Sequence, residues 1–190
     1  MLNQDEFIKI RKEFAEFEEN REHVITLSRE IISLSKQIIY AVQRDDLKAA
    51  SQLLPGIEKK KKVLLGLSQN VDANINKTAL QEYAEALCFY HFVKSGKIPG
   101  AKELKLDSES YLLGLCDLTG ELVRKAVNAV IRKQYSQAFK IKEFVDELYG
   151  QFLQFNLRNG DLRQKSDQIK WSLKKLEEVV YELQLKGLLK

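Results

Sequence analysis

Residues 80–93 read LQEYAEALCFYHFV, and residues 111–130 read YLLGLCDLTGELVRKAVNAV. Both stretches are apolar for most of their length, and both carry acids in the middle: Glu82 and Glu85 in the first, Asp117 and Glu121 in the second. A helix advances about 100° per residue, so Glu82 and Glu85 lie about 60° apart on one helical face. Thr78, Gln81, Phe89 and Phe92 share that side, and Leu80, Ala84, Leu87 and His91 form the opposite stripe. Asp117 and Glu121, four residues apart, stack on one face, with Arg124 and Asn128 continuing it. Carboxylates are seldom fully buried, and an unpaired one shifts its pKa or costs several kcal/mol. Two such stripes in helices that are apolar on most sides therefore require a partner for the charge.

Working outward, the remaining chain reads as helix. Of 190 residues 44% are hydrophobic, and only 2 prolines and 9 glycines interrupt them. Val24, Leu27, Ile31, Leu34, Ile38 and Val42 recur at spacings of three and four within a first helix over about residues 3–43. Its outer half, EFAEFEENREH, is largely charged, the pattern of a helix that projects from the core. A second helix starts after Asp45 or Asp46, with Pro55-Gly56 marking a kink or break. The third covers about residues 73–94, and KSGKIPGAKELKLD after it reads as a loop. A fourth runs from about Ser108 to Arg132 behind Asp107 or Ser108 as cap, and a fifth covers roughly 134–156. Asn159-Gly160 is a turn signal, with Asp161 as cap of a last helix ending near Gly187 and striped by Ile169, Leu173, Leu176, Val180 and Leu183. Strict alternation is nowhere sustained, so the expected fold is a single all-α domain over residues 1–190, an antiparallel bundle of six to seven helices.

Composition narrows the function classes. The net charge of +4 is mildly basic, compatible with nucleic acid but not diagnostic of it. The run Lys59 to Lys62 reads as a solvated helix face. No apolar run reaches the roughly 18 residues of a membrane span, so no membrane partner is expected. The charged start and two cysteines inside apolar helical patterns, Cys88 and Cys116, suggest reduced core thiols and a cytoplasmic location. His91 lies on an apolar stripe as a core histidine, and no Ser/His/Asp set, phosphate loop or zinc spacing is present. A ferritin-like di-metal centre needs two Glu-x-x-His pairs, which two histidines, neither three residues after a glutamate, do not supply.

Spacing alone leaves three readings of the acids open. Arg124 neutralises them in a structural ion-pair network; or they face solvent; or the two stripes oppose one another and hold a hard cation. Like charges about 4 Å apart repel by about 4 kcal/mol at an effective dielectric near 20, so an opposed cluster takes up protons, cations or metal. All-oxygen donors suit Mg²⁺ or Mn²⁺. Gly114 and Gly120, each costing about 1 kcal/mol in a helix interior, flank the acidic stripe and permit a close approach.

The motifs themselves carry more than their spacing. QEYAEA with its following FYHF, and then YLLGLCDLTGEL after a loop, resemble the translin family, closest to its catalytic, factor-X type of subunit. LSREIISLSKQIIY in the first helix and SLKKLEEVVYELQLKG in the last are similar to the family's corresponding segments, so the resemblance covers about residues 20–187. It implies an all-α fold of about seven helices assembled into an octamer-like shell, with single-stranded RNA or DNA bound inside. It also implies a metal-dependent endoribonuclease site, carried over onto Glu82, Glu85 and Asp117, with Glu121 as fourth member and Mg²⁺ or Mn²⁺ as cofactor. No long insert separates the third and fourth helices, which makes a homo-oligomer that both binds and cuts the simplest expectation. Arg29 and Lys36, on one face of the first helix, match the family pattern and are the expected nucleic-acid contacts. The alternative is a non-catalytic single-stranded RNA- or DNA-binding protein in which Arg124 satisfies the acids and no metal binds.

Overall fold

A computed structural model describes residues 3–67 and 74–189. Seven helices and no strand occur among them: α1 (Gln4–Gln43), α2 (Leu47–Leu67), α3 (Asn74–Ser95), α4 (Ala101–Leu104), α5 (Ser108–Ile131), α6 (Tyr135–Phe152) and α7 (Asp161–Leu185). Capping chemistry sets several of the starts. The Asp46 carboxylate accepts from the Ala49 N–H at 2.9 Å, and the Asp107 carboxylate accepts from the Ser110 N–H at 2.9 Å. Asp45, the other candidate cap of α2, instead takes a left-handed turn conformation with φ 64°.

Buried side chains from all seven helices form one contiguous cluster. Its centre is α3, which packs against α1 on one side and α5 on the other, while α7 and α6 complete the far side against α5. Tyr83, Ala84, Ala86, Cys88 and Phe89 of α3 are wholly inaccessible, which accounts for the apolar character of its sequence on nearly every face. On α1 the stripe Val24, Leu27, Ile31, Ile38 and Val42 is buried, whereas from Gln4 to His23 almost every residue is exposed. The charged outer half of α1 therefore lies outside the core, as its composition predicts.

Four expectations need correction. Pro55 does not break α2: it lies on the exposed side, where the carbonyl it leaves unpaired can bond to water, and burial of Ala50, Ile57 and Leu64 carries the helix through. The lysine run is not wholly solvated. Helical rotation turns Lys61, 4% exposed, into the core, where its ammonium bonds the Tyr83 hydroxyl at 2.9 Å, the Leu104 carbonyl at 3.0 Å and the Glu58 carboxylate at 2.9 Å. Within residues 94–107 the chain forms the short helix α4, whose Gly100 N–H donates to Glu103 at 2.7 Å and whose Leu104 is buried. His91 is only half-buried, edge-on to Tyr90, because α3 emerges from the core at that end.

The glycine positions decide how α3 and α5 meet. A Cβ at Gly114 would stand 2.6 Å from the Ala84 Cβ and 2.7 Å from the Gln81 carbonyl, so only glycine permits this crossing. Gly120, expected to serve the same purpose, has open space around it. One close approach, at Gly114, brings the α3 and α5 backbones into contact beside the acids.

Candidate functional site

The Gly114 crossing sets the acidic face of α3 against that of α5. A cavity of about 340 Å³ opens there, lined by Glu82 and Glu85 from α3, Glu121 and Arg124 from α5, and Lys36, Ile39 and Tyr40 from α1. A wider groove of about 940 Å³ lies between the end of α3 and α6, bordered by Phe92, Lys94, Lys140 and Phe144; it contains none of the four acids.

Glu85 is the deepest member, 8% exposed. Burial, reinforced by the negative charges of Asp117, Glu82 and Glu121, pushes its carboxyl up to about 8, against a smaller opposing effect from Lys165. The Glu82 carboxyl is also raised, chiefly by burial, with Lys36 and Lys165 holding it down and Asp117 and Glu121 pushing it up. These mutual influences place all four carboxylates within one electrostatic neighbourhood. No hydrogen bond from another described residue reaches Glu82 or Glu85.

The two α5 acids are held differently. Gln81 donates its side-chain amide to Asp117, and the Lys165 ammonium lies 2.7 Å from each Asp117 carboxylate oxygen. Gln43, buried at the end of α1, donates to the Glu121 carboxylate at 2.6 Å and to the Glu121 carbonyl at 2.8 Å. Arg124 stands 3.9 Å from Glu121 and is 58% exposed, a loose surface contact. The neutralising partner expected at Arg124 is thus supplied by Lys165 of α7, bound to the other α5 acid.

Among the described residues, no three acidic, histidine or cysteine side chains converge tightly enough to hold a metal ion as they now stand. The donor chemistry nonetheless fits a hard divalent cation: four carboxylates, all oxygen, two of them free of protein hydrogen bonds and one buried among like charges.

Glu82, Glu85 and Glu121 line one cavity with Lys36, and Asp117, outside that lining, is near enough for its charge to act on Glu82 and Glu85. Arg29 is exposed on α1 two turns before Lys36, outside the cavity lining. Sequence reasoning missed Gln43, Tyr40 and Lys165, and placed Gln81 on the glutamates' face without assigning it a role. For Lys165 a signal existed: it precedes Ile169 by four residues and so continues the buried stripe of α7, where a lysine requires an acidic partner.

The translin family pattern matches residues 19–187. Translin of Gallus gallus is 46% identical over 83 residues, 44% of this chain and 36% of that protein, so the match spans little more than a third of that relative's length. Translin-associated protein X of Mus musculus is 28% identical over an alignment that covers 87% of this chain and 73% of that protein. Among solved structures, apo-NeC3PO superposes with a TM-score of 0.89 at 31% identity, covering 95% of this chain and 97% of that one. The AfC3PO–duplex RNA complex, at 20% identity, shares the fold with a TM-score of 0.88, covering 97% of this chain and all of the other.

Proposed function

The chain belongs to the translin family, and from that premise we propose that it is a metal-dependent endoribonuclease acting on single-stranded RNA inside a homo-oligomeric shell. The observation that supports the reading is that the Gly114 crossing sets the α3 face bearing Glu82 and Glu85 against the α5 face bearing Asp117 and Glu121, beside a cavity edged by Lys36 and Arg124. Glu82, Glu85, Asp117 and Glu121 would hold Mg²⁺ or Mn²⁺. When bound, such an ion polarises a phosphodiester oxygen and lowers the pKa of an attacking water.

The protein's own groups have separable roles. Lys36 and Arg124 supply positive charge at the cavity mouth for backbone phosphates, and such contacts weaken with salt. Gln43 and Gln81 fix the orientation of Glu121 and Asp117. Glu85, whose burial makes it retain a proton to higher pH than an ordinary carboxyl, is the group able to exchange a proton within the site. Self-association is supported by apolar side chains left exposed on the outer half of α1 (Phe7, Ile10, Phe14, Phe17) and on α7 (Trp171, Tyr181, Leu185). No described helix is long and apolar enough to cross a membrane.

A second reading, a non-catalytic single-stranded RNA- or DNA-binding protein, draws on the Lys165–Asp117 pair, which already neutralises one acid. Cleavage of a short single-stranded RNA separates the two. The nuclease reading expects cutting with Mn²⁺, none in EDTA, and a loss of about 10³-fold in Asp117→Ala and Glu85→Ala, the scale of removing a group that stabilises the transition state. Binding without cutting would leave the binding reading, and equal cutting in EDTA would overturn the metal-dependent one. A short duplex belongs in the same assay, since AfC3PO has been solved with duplex RNA.

A further inference from the structure

The inference rests on the metal-binding reading above and concerns how the site is held without metal. Lys165 projects from the second turn of α7, and its Nζ is 2.7 Å from both Asp117 oxygens, with side-chain exposures of 29% and 22% for the two partners. Its charge also reaches Glu82 and Glu85, whose carboxyls it holds down against the surrounding acids. Arg124 is 3.9 Å from its own acid and largely in water, so Lys165 is the cation most closely engaged with the cluster.

A carboxylate offers about four lone-pair directions, so the Gln81 amide and a metal ion can share Asp117. An ammonium on both oxygens would compete with a divalent ion for the same carboxylate, since two cations in contact with one carboxylate repel. The lysine stem is flexible and the side chain 29% exposed, so the ammonium can leave without unfolding α7. We propose that Lys165 is the tethered counter-ion of the metal-free site, displaced from Asp117 as a divalent ion loads, and thereby the residue that sets the ion concentration at which the site fills.

The test is Mn²⁺ binding to the full chain without RNA, followed by the electron paramagnetic resonance of free Mn²⁺. Lys165→Met is expected to bind Mn²⁺ about tenfold or more tightly than the unmodified protein, because the competing charge is gone. Lys165→Arg, which keeps the charge and can bond both oxygens, is expected to stay at or below the unmodified affinity. Lys165→Gln, measured with circular dichroism to verify helix content, serves if the methionine variant folds poorly. Equal or weaker binding by the folded neutral variants overturns the inference and leaves the metal site standing. Failure of every protein to bind Mn²⁺ overturns the metal reading and the inference together.

Discussion

Lys125 and Lys165 both reach across a helix packing to an aspartate, yet their surroundings differ in kind. Lys125, on α5 and 2% exposed, donates to the Val42 carbonyl at 2.7 Å, the Gln43 carbonyl at 3.5 Å and Asp45 at 2.6 Å. It closes the C-terminus of α1, where unpaired carbonyls and the negative end of the helix dipole favour a cation, and Arg132 pairs with the same Asp45. Every donor direction of the ammonium is used there, by one carboxylate and two helix-end carbonyls. Lys165 lies among four carboxylates, and even with Lys36 and Arg124 at the same cavity the acids outnumber the cations. A satisfied pair of the first kind fixes a helix end; an unbalanced one of the second kind leaves capacity for a further cation.

The comparison breaks most visibly if the two lysines are removed in turn. Lys125→Met strips a buried cap of its donor, removing the ammonium from the Gln43 carbonyl and leaving the Val42 carbonyl with only the Asp45 N–H. A loss of about 2–3 kcal/mol in urea unfolding is expected, since orphaned buried polar groups carry most of the penalty. Lys165→Met under the same conditions is expected to cost about 1 kcal/mol or less, because both partners are partly in water. Equal losses would mean that the Lys165 pair is structural too.

Gly114→Ala tests whether the acidic cluster depends on the helix crossing. The added methyl meets the Ala84 Cβ and the Gln81 carbonyl, both parts of a packed helix that cannot swing away. Forcing α3 and α5 apart is expected to cost about 2 kcal/mol, within the usual range for overpacking. Mn²⁺ affinity is expected to fall with it. Gly120→Ala, with open space around the site, is the matched control and is expected to gain slightly from helix propensity.

How far the sequence reveals this arrangement depends on which interactions are local. The α1 stripe and the Asp107 cap follow from spacing within a few residues, and the structure shows both. The four acids are visible as anomalies on apolar helices, and the QEYAEA and DLTGEL motifs tie them together. What was not legible is non-local: Lys165 lies 48 positions from Asp117 and Gln43 lies 78 from Glu121, so no window along the chain joins them. Arg124, nearest in sequence to the acids, was for that reason the natural neutralising partner, and it makes only the looser of the two ion pairs, 3.9 Å from Glu121. Pro55 and the lysine run misled for a related cause. Local preference argued for a break and a solvated face, and tertiary burial of Ile57, Lys61 and Leu64 outweighed it.

A pH dependence separates the acid-rich site from the cap. Glu85 keeps its proton up to about 8 in the folded chain against an ordinary value of 4.5. The folded state therefore binds more protons than the unfolded one between those values, and stability falls as pH rises through that window. Coupling among the four acids spreads the change, so a loss on the order of 1–2 kcal/mol across the window is expected in EDTA. Thermal unfolding from pH 5 to pH 8 checks this: Glu85→Gln, neutral throughout, should flatten the slope, while Lys125→Met should lower the melting temperature without altering it. Mg²⁺ should flatten the unmodified protein's slope as well, because an ion held by the carboxylates replaces the proton that Glu85 otherwise retains. If Glu85→Gln and the unmodified chain lose stability in parallel, the charge imbalance is not felt at Glu85, and the contrast between the two lysines reduces to their difference in burial.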